Sequence, residues 1–182
     1  GRIRFLQNIT GLWILQRLMS EWKTRGEEQS YDTLIPQAAE ATIASIIPVD
    51  DALFMNPVNM ENALMDYCRQ HDLPVPQNKA EMVKCVLQSL AFKYKQAVEK
   101  LNRCLPSPIR QLNIIGGGSQ NKLLNQLTAD TLGIPVYAGP VEATAIGNIL
   151  TQAMAKGEIS DLHELREIVR HSITPQVYHP KK

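Results

Sequence analysis

The feature that most constrains the fold is a strand, turn and helix pattern that occurs twice between residues 111 and 156. Residues 112–115 form a short β-branched run between breakers, as a buried parallel strand does. Three glycines at 116–118 follow directly and lead into a helical pattern. A second short run at 134–137 precedes another helix, which ends near Gly157. Such a βαβα unit predicts an α/β fold with a parallel sheet covered by helices.

Helical periodicity dominates the rest of the chain. Helices are predicted at 10–24, 31–45, 60–70, 79–104 and 161–171. Asn8 or Thr10 is placed to cap the first of these. Pro135 predicts an edge position or a strand start for the second run, and the tail from Pro175 is predicted to be loose. The buried side of the helix that follows Pro140 is predicted to consist of Ala143, Ile146, Ile149, Leu150, Ala153 and Met154.

Composition indicates an ordinary soluble globular protein with one packed core. The chain has 182 residues, of which 44% are hydrophobic and 20% charged, with a formal net charge of +1. A charge this small does not attract a phosphate backbone or an anionic bilayer, so we expect no nucleic-acid partner and no membrane partner. No stretch approaches the roughly 20 apolar residues that span a bilayer. Three cysteines, a low and odd number, favour a reducing cytosol and a cytoplasmic protein.

The glycine segment is the part of the sequence with the clearest chemical character. Glycines allow the backbone to approach a ligand closely, and the helix expected to begin near Ser119 offers N–H groups to an anionic or polar group. The alternative is a tight turn that only requires glycine, although three consecutive glycines exceed what one turn needs. A Rossmann fingerprint fails because Asn121 stands where its third glycine is required, and a Walker A loop matches only at Lys122.

Three segments together carry a family resemblance. They are the 116–136 stretch GGGSQNKLLNQLTADTLGIPV, the 139–150 stretch GPVEATAIGNIL, and the 8–17 stretch NITGLWILQR. With these segments the chain resembles the C-terminal part of the FGGY carbohydrate kinases, which belong to the actin-like ATPase superfamily. The resemblance covers essentially the whole chain. It implies an RNase H-like nucleotide-binding domain over residues 1–174, helix-rich and incomplete at its N-terminal strands, and a loose tail at 175–182.

The resemblance also implies ligands and site residues. The ligands are ATP or ADP with Mg²⁺, and a sugar held mainly by a separate domain that this sequence does not contain. Gly117, between Gly116 and Gly118, would lie against the nucleotide, and Asn121 would lie near the adenine. Gln16 would reach the nucleotide as well, and Asn8 would approach the substrate side of the cleft. Residues 142–147 would form the helix on which the two domains hinge.

Catalytic and metal-binding residues are not expected in this chain. The resemblance places the phosphate loops and the catalytic aspartate of the family outside it. Asp50, Asp51 and Asp130 are expected to have solvated or capping roles. The four histidines show no pair at the spacing of a helical metal site. The resemblance implies that Cys68 and Cys85 match two positions that are sometimes linked by a disulfide in the family. From the residues alone we expect free thiols, because each cysteine lies on an apolar helix face.

Three functions remain open at this point. The first is the nucleotide-binding part of a kinase that, when complete, phosphorylates the ketose L-rhamnulose on its 1-hydroxyl group, with this chain inactive alone. The second is a member of the same family that acts on another ketose, aldose or polyol. The third is a non-catalytic module that self-associates or binds a protein partner, because a sheet without its neighbouring strands exposes backbone and apolar surface.

Overall fold

A computed structural model describes residues 5–9 and 11–181 of the chain. It divides the chain into two compact units, Gly1–Pro108 and Ile109–Lys182. The sequence indicated one packed core, and the structure differs because the apolar side chains gather within each unit. The division falls where the residues from Arg103 to Pro108 are all exposed.

In the described residues of the first unit, all regular secondary structure is helical. Its helices are α1 (Trp13–Thr24), α2 (Tyr31–Glu40), α3 (Met60–Gln70) and α4 (Lys79–Asn102), with a 3₁₀ turn at Ala52–Phe54. Polar caps begin three of them, since the side chains of Ser30, Asn59 and Asn78 each accept a hydrogen bond from the backbone N–H three residues later. Helix α4 packs against α2, and α1 packs against α3.

Apolar stripes on these helices form the core of the first unit. The largest fully buried side chains include Trp22, Phe54, Leu18, Leu64 and Leu87. The Glu21 carboxylate of α1 accepts the backbone N–H of Met60 at the start of α3, with both oxygens at 3.0 Å. This contact fixes the two helices at their ends, because it satisfies an N–H that has no partner within α3.

Two predicted helix boundaries in the first unit were wrong. Helix α1 begins at Trp13, and Leu12 takes the N-cap position without a side-chain hydrogen bond. Asn8 lies outside the helix and is exposed, while Thr10 lies outside the described residues. Helix α2 ends at Glu40, five residues before the predicted end at Ser45.

The early end of α2 follows from hydrogen bonds that residues 41–49 make with α4. The side-chain amide of Gln88 donates to the carbonyls of Ile43 (3.1 Å) and Ser45 (2.7 Å). The backbone N–H of Ile47 donates to the hydroxyl oxygen of Ser89 at 2.9 Å. These side chains satisfy the backbone of an extended segment, which therefore does not need to be helical.

The second unit contains a three-stranded sheet and three helices. The strands are β1 (Leu112–Ile114), β2 (Val136–Ala138) and β3 (Gln176–Tyr178), and the helices are α5 (Lys122–Leu132), α6 (Ala143–Ala155) and α7 (Leu162–Ser172). Strand β1 pairs with β2 in parallel, with Leu112 opposite Val136. The α/β character and the parallel β1–α5–β2 arrangement are confirmed, and Gly133 ends α5 in the left-handed conformation at φ 70°.

Strand β3 corrects the prediction of a loose tail. It pairs antiparallel with β2, with Val136 opposite Tyr178. The backbone N–H of Lys181 also donates to the carboxylate of Asp130 at 2.7 Å. Strand β2 is therefore the central strand, so Pro135 marks a strand start and the edge alternative is wrong.

Helix α6 corrects the prediction of a buried apolar face. The six side chains predicted to be buried are not, since α6 has no buried residue, and the side chain of Ile149 is 66% exposed. Among the described elements of the second unit, α7 is the one that packs against it to a notable extent. An apolar stripe is buried only where a neighbouring element covers it, and residues 143–155 lack such cover on most of their surface.

Candidate functional site

The glycine segment forms a tight turn at the carboxyl end of β1. Gly116 has φ 76° and ψ −164°, a conformation that only glycine adopts readily. Its N–H donates to the carbonyl of Pro140 at 3.0 Å, and the N–H of Gly139 donates to the carbonyl of Ile114 at 2.8 Å. The turn is thereby tied to the loop that follows the neighbouring strand, at the sheet edge where open α/β folds bind ligands.

The other two glycines are not required by the backbone. Neither Gly117 nor Gly118 has a positive φ. A Cβ built on Gly117 would meet no described heavy atom within 4 Å, and one on Gly118 would meet only Ile114 Cγ2 at 3.9 Å. Alanine would therefore fit at either position. The fold needs glycine at 116 alone, and the surface above Gly117 is open.

A 3₁₀ turn, Gly117–Gln120, includes the second and third glycines and precedes α5. The helix begins at Lys122, so the predicted start near Ser119 was three residues too early. The hydroxyl of Ser119 donates to the carbonyl of Gly116 at 2.7 Å, and its N–H donates to the same carbonyl at 3.0 Å. The turn thus closes on itself through Ser119.

Asn121 is the N-cap of α5. Its Oδ1 accepts the N–H of Leu124 at 3.0 Å, and the residue is only 3% exposed. This carboxamide was predicted to lie near an adenine, and the structure shows it holding the first turn of the helix. Asn121 therefore links the glycine turn to the orientation of α5.

A cavity of about 530 Å³ lies beside the turn, within the second unit. Ser119, Gln120 and Lys122 line one part of it. Residues 138–141 and three residues in or near β3 line the rest, namely Ile173, Thr174 and Gln176. Gly116, Gly117, Gly118 and Asn121 are not among its lining residues. The predicted residues and the cavity are thus neighbours along the same turn, with Lys122 supplying a positive charge at the cavity.

The predicted residues fall in different units. Gly116, Gly117, Gly118 and Asn121 are brought together in the second unit. Asn8 and Gln16 belong to the first unit, where both are exposed and Gln16 lies on the first turn of α1.

Hydrogen-bond or ion-pair partners are present for the three carboxylates considered as catalytic bases, those of Asp50, Asp51 and Asp130. Asp50 pairs with Lys93 at 2.7 Å, and Asp51 accepts the N–H of Leu53 at 2.9 Å. Asp130 accepts from the side chain of Gln126 at 2.8 Å, in addition to the backbone of Lys181. Each of the three carboxylates thus has a capping or pairing role in the structure.

Among residues 5–9 and 11–181, no group of three or more His, Cys, Asp and Glu side chains is placed to hold a metal ion. Within that described part of the chain, no helix has both the length and the apolar character that crossing a membrane requires. Cys68, Cys85 and Cys104 are free thiols, the first two buried and the third exposed.

Comparison with known proteins decides the family. The C-terminal domain of the FGGY family of carbohydrate kinases matches residues 1–156. The chain belongs to this family. The resemblance of the glycine turn and its flanking segments to FGGY kinases is therefore confirmed.

Several curated FGGY kinases are similar over nearly the whole chain. The rhamnulokinases of Bacteroides thetaiotaomicron and Pectobacterium carotovorum are each 46% identical over 182 residues, 100% of the chain. That of Bacillus subtilis is 40% identical over 180 residues, 98% of the chain. The chain spans 37%, 36% and 36% of the length of these three proteins. It therefore corresponds to about a third of an FGGY kinase.

Sequence reasoning missed two residues that support the turn. They are Ser119, which closes it, and Asn125, whose side-chain amide donates to the carbonyl of Ser119 at 2.8 Å. The sequence contains a signal for Asn125. It lies four residues after Asn121 and so shares its helix face, and polar residues are uncommon on a face that packs against a sheet.

Proposed function

We propose that the chain is the nucleotide-binding part of an FGGY carbohydrate kinase and that the glycine turn holds ATP or ADP. Gly116, Gly117 and Gly118 would bring the backbone against the nucleotide, and Asn121 would fix the helix beside it. The fold of the complete domain would be RNase H-like, with residues 1–174 contributing its C-terminal part.

The observation that carries this proposal is the excess of glycine at the turn. Of the three glycines of the turn, only Gly116 has a backbone conformation that requires glycine, and a Cβ on Gly117 would point into open space. Two further glycines cost conformational entropy on folding without relieving any clash. Close approach of a ligand to the backbone is a physical reason for their presence, and membership in a carbohydrate kinase family supports a nucleotide as that ligand.

The complete protein would transfer a phosphoryl group to a sugar. We infer L-rhamnulose as the acceptor, because curated rhamnulokinases are 40–46% identical to the chain. The oxygen of its 1-hydroxyl would bond to the γ-phosphorus of ATP as the bond to the departing ADP oxygen breaks, and the hydroxyl proton would go to a base. Asn8 would approach the sugar. A kinase of this family for another sugar or polyol is the alternative acceptor class.

Phosphoryl transfer is expected to depend on catalytic residues outside this chain. The described carboxylates at 50, 51 and 130 are engaged in capping and pairing, so none is placed as the base. Mg²⁺ would arrive with the nucleotide, because the described residues offer no cluster of metal ligands. The Lys122 amine at the cavity suits the negative charge of the phosphates. The 182-residue chain should therefore bind nucleotide and show no kinase activity.

The test is calorimetric titration of Mg-ADP and Mg-ATP into the chain and its Gly117→Val variant. The added side chain should occupy the open space above the turn and weaken binding at least tenfold, which is about 1.4 kcal/mol. Gly11→Val is the matched control, because Gly11 also has open space around its Cβ position and lies in the other unit. It should leave the affinity unchanged.

Two results would contradict the proposal. One is saturable binding that Gly117→Val leaves intact, which would place the nucleotide elsewhere. The other is a lack of binding both to this chain and to the longer protein, which would remove the function itself. Binding to the longer protein alone, if sensitive to Gly117→Val, would support the site and show that other parts of the kinase complete it.

A second candidate function is self-association through α6. The observation in its favour is that residues 143–155 carry no charged side chain and contain no buried residue. A surface of this kind is typical of protein contacts. It differs from the first candidate in needing no nucleotide, so light scattering without ligand distinguishes the two.

A further inference from the structure

We infer that Asn125 is a positioning residue for the nucleotide-binding turn. The inference rests on the proposed function of the turn and deepens it. Asn125 lies on α5, one helical turn after Asn121, and does not face the open surface above Gly117. Its role would be to fix the conformation of residues 116–121 from beneath.

A continuous chain of hydrogen bonds connects Asn125 to the first glycine. The Asn125 side-chain amide donates from Nδ2 to the carbonyl of Ser119 at 2.8 Å. The hydroxyl of Ser119 in turn donates to the carbonyl of Gly116 at 2.7 Å. Together the two bonds span the whole 3₁₀ turn, and the carboxamide is the anchor that comes from a regular helix.

The burial of Asn125 is not explained by packing. The residue is 0% exposed, and its Oδ1 has no hydrogen-bond partner among the described residues. Leu124, Thr128 and Ala129 surround this position on α5 and are buried as well. Burying an amide oxygen without a partner disfavours folding, so an apolar side chain would serve the core better. The bond from Nδ2 to Ser119 is therefore what the asparagine contributes.

Fixing the Ser119 carbonyl also fixes the peptide groups before it. The turn has glycines at 117 and 118, whose backbones have the greatest freedom of any residue. Without an anchor this segment would sample several conformations, and a ligand would have to select one of them. Ordering the turn in advance raises affinity because that selection cost is removed.

The experiment compares Asn125→Leu with Thr128→Val in the 182-residue chain. Both variants remove a fully buried hydrogen-bonding side chain from α5, but the Thr128 hydroxyl donates to Leu124 within the helix and does not touch the turn. Amide hydrogen exchange is measured for residues 116–121 without nucleotide, and Mg-ADP affinity is measured by calorimetry. Urea unfolding of each variant reports its global stability.

Asn125→Leu should raise exchange in residues 116–121 about tenfold, the size of one lost hydrogen bond, with exchange in the rest of α5 unchanged. Its Kd for Mg-ADP should rise by about the same factor. Thr128→Val should change neither. Ser119→Ala removes the hydrogen bond from the Ser119 hydroxyl to the Gly116 carbonyl and should also raise exchange in 116–121 and the Kd. This variant decides the test if Asn125→Leu does not fold.

The outcomes separate the inference from the proposed function. Unchanged exchange in 116–121, or a rise shared by all of α5, would overturn the positioning role and leave a purely structural one. If neither the 182-residue chain nor the longer protein binds Mg-ADP, the nucleotide proposal fails, and the exchange data still decide whether Asn125 orders the turn. Faster exchange with an unchanged Kd would also overturn the inference.

Discussion

Cys68 and Cys85 form a pair of thiols in the core of the first unit. They come from α3 and α4, and both are free and 0% exposed. A hydrogen bond from the Cys85 thiol lowers the pKa of Cys68 to about 7. The interaction with Cys68, together with burial, raises the pKa of Cys85. Near neutral pH the pair therefore holds one sulfur that ionises easily and one that does not.

We predict that mild oxidation with diamide links Cys68 to Cys85 within one chain. The thiolate is the attacking species, so the rate should fall about fivefold from pH 7 to pH 6 as Cys68 becomes protonated. Intact mass and peptide mapping would follow the reaction. The experiment uses Cys104→Ser, because Cys104 is exposed and would otherwise form links between chains. A rate independent of pH, or linkage only after unfolding, would contradict the prediction.

At the residue scale, the glycines with positive φ were easier to predict than the side-chain hydrogen bonds that hold the turn. Gly116 and Gly133 can be predicted from the sequence because a positive φ is a local requirement that favours glycine. The support from Asn125 depends on a carbonyl six residues away, across a 3₁₀ turn whose existence the sequence does not show. Asn121 was predicted as a ligand contact, and the structure shows its role as a helix cap.

At the element scale, α6 is the one α-helix among the described residues that has no buried side chain. Its sequence from 143 to 155 contains no charge, and the side chain of Ile149 is 66% exposed. Exposed apolar surface of this extent favours association, because burial of each apolar group removes it from water. The isolated chain should therefore associate more strongly as its concentration rises.

The prediction for α6 is that Ile149→Glu abolishes this association. A charge at the exposed apolar side chain has to be desolvated in any apolar contact, which disfavours the contact. Size-exclusion chromatography with light scattering should show a mass that rises with concentration for the original chain and stays monomeric for the variant. Gln152→Glu adds the same charge at an exposed polar position of α6 and should still associate. A monomeric original chain at every concentration would rule the surface out.

Prediction of elements succeeded where the determinants are local. Helix α4 was placed at 79–104 and observed at Lys79–Asn102, because a long apolar stripe and the Asn78 cap are both properties of the segment itself. Two failures have distant causes. Helix α2 ends early because Gln88 binds residues 43 and 45, and β3 forms because β2 offers an unpaired edge.

At the scale of the whole molecule, the two units differ greatly in core size. The first unit buries large side chains from every helix, including Trp22 and Phe54. The core cluster of the second unit consists of Ala129, Val136, Ala138 and Tyr178, with Leu112 and Ile114 packed against it. The sequence indicated a single core because composition gives the number of apolar residues but does not show how they are distributed between separate cores.

We expect limited trypsin digestion to cut first between the two units. Arg103 and Arg110 are exposed and flank a stretch with no strand or α-helix, whereas most other basic residues lie in helices. Proteases cleave exposed, irregular segments fastest. Mass spectrometry of early time points should therefore show two fragments that meet near residue 103 or 110. An Arg103→Gln, Arg110→Gln double variant should delay that cut, and first cleavage within α4 or α7 would contradict the division.

Strand β3 has a consequence for how chains of this family are delimited. The family match ends at residue 156, whereas α7 and β3 lie beyond it. Tyr178 of β3 is one of four members of the buried cluster in the second unit. The segment that the family match covers is thus shorter than the folding unit. A domain border drawn at residue 156 would remove the strand that completes the sheet and leave one edge of β2 unpaired.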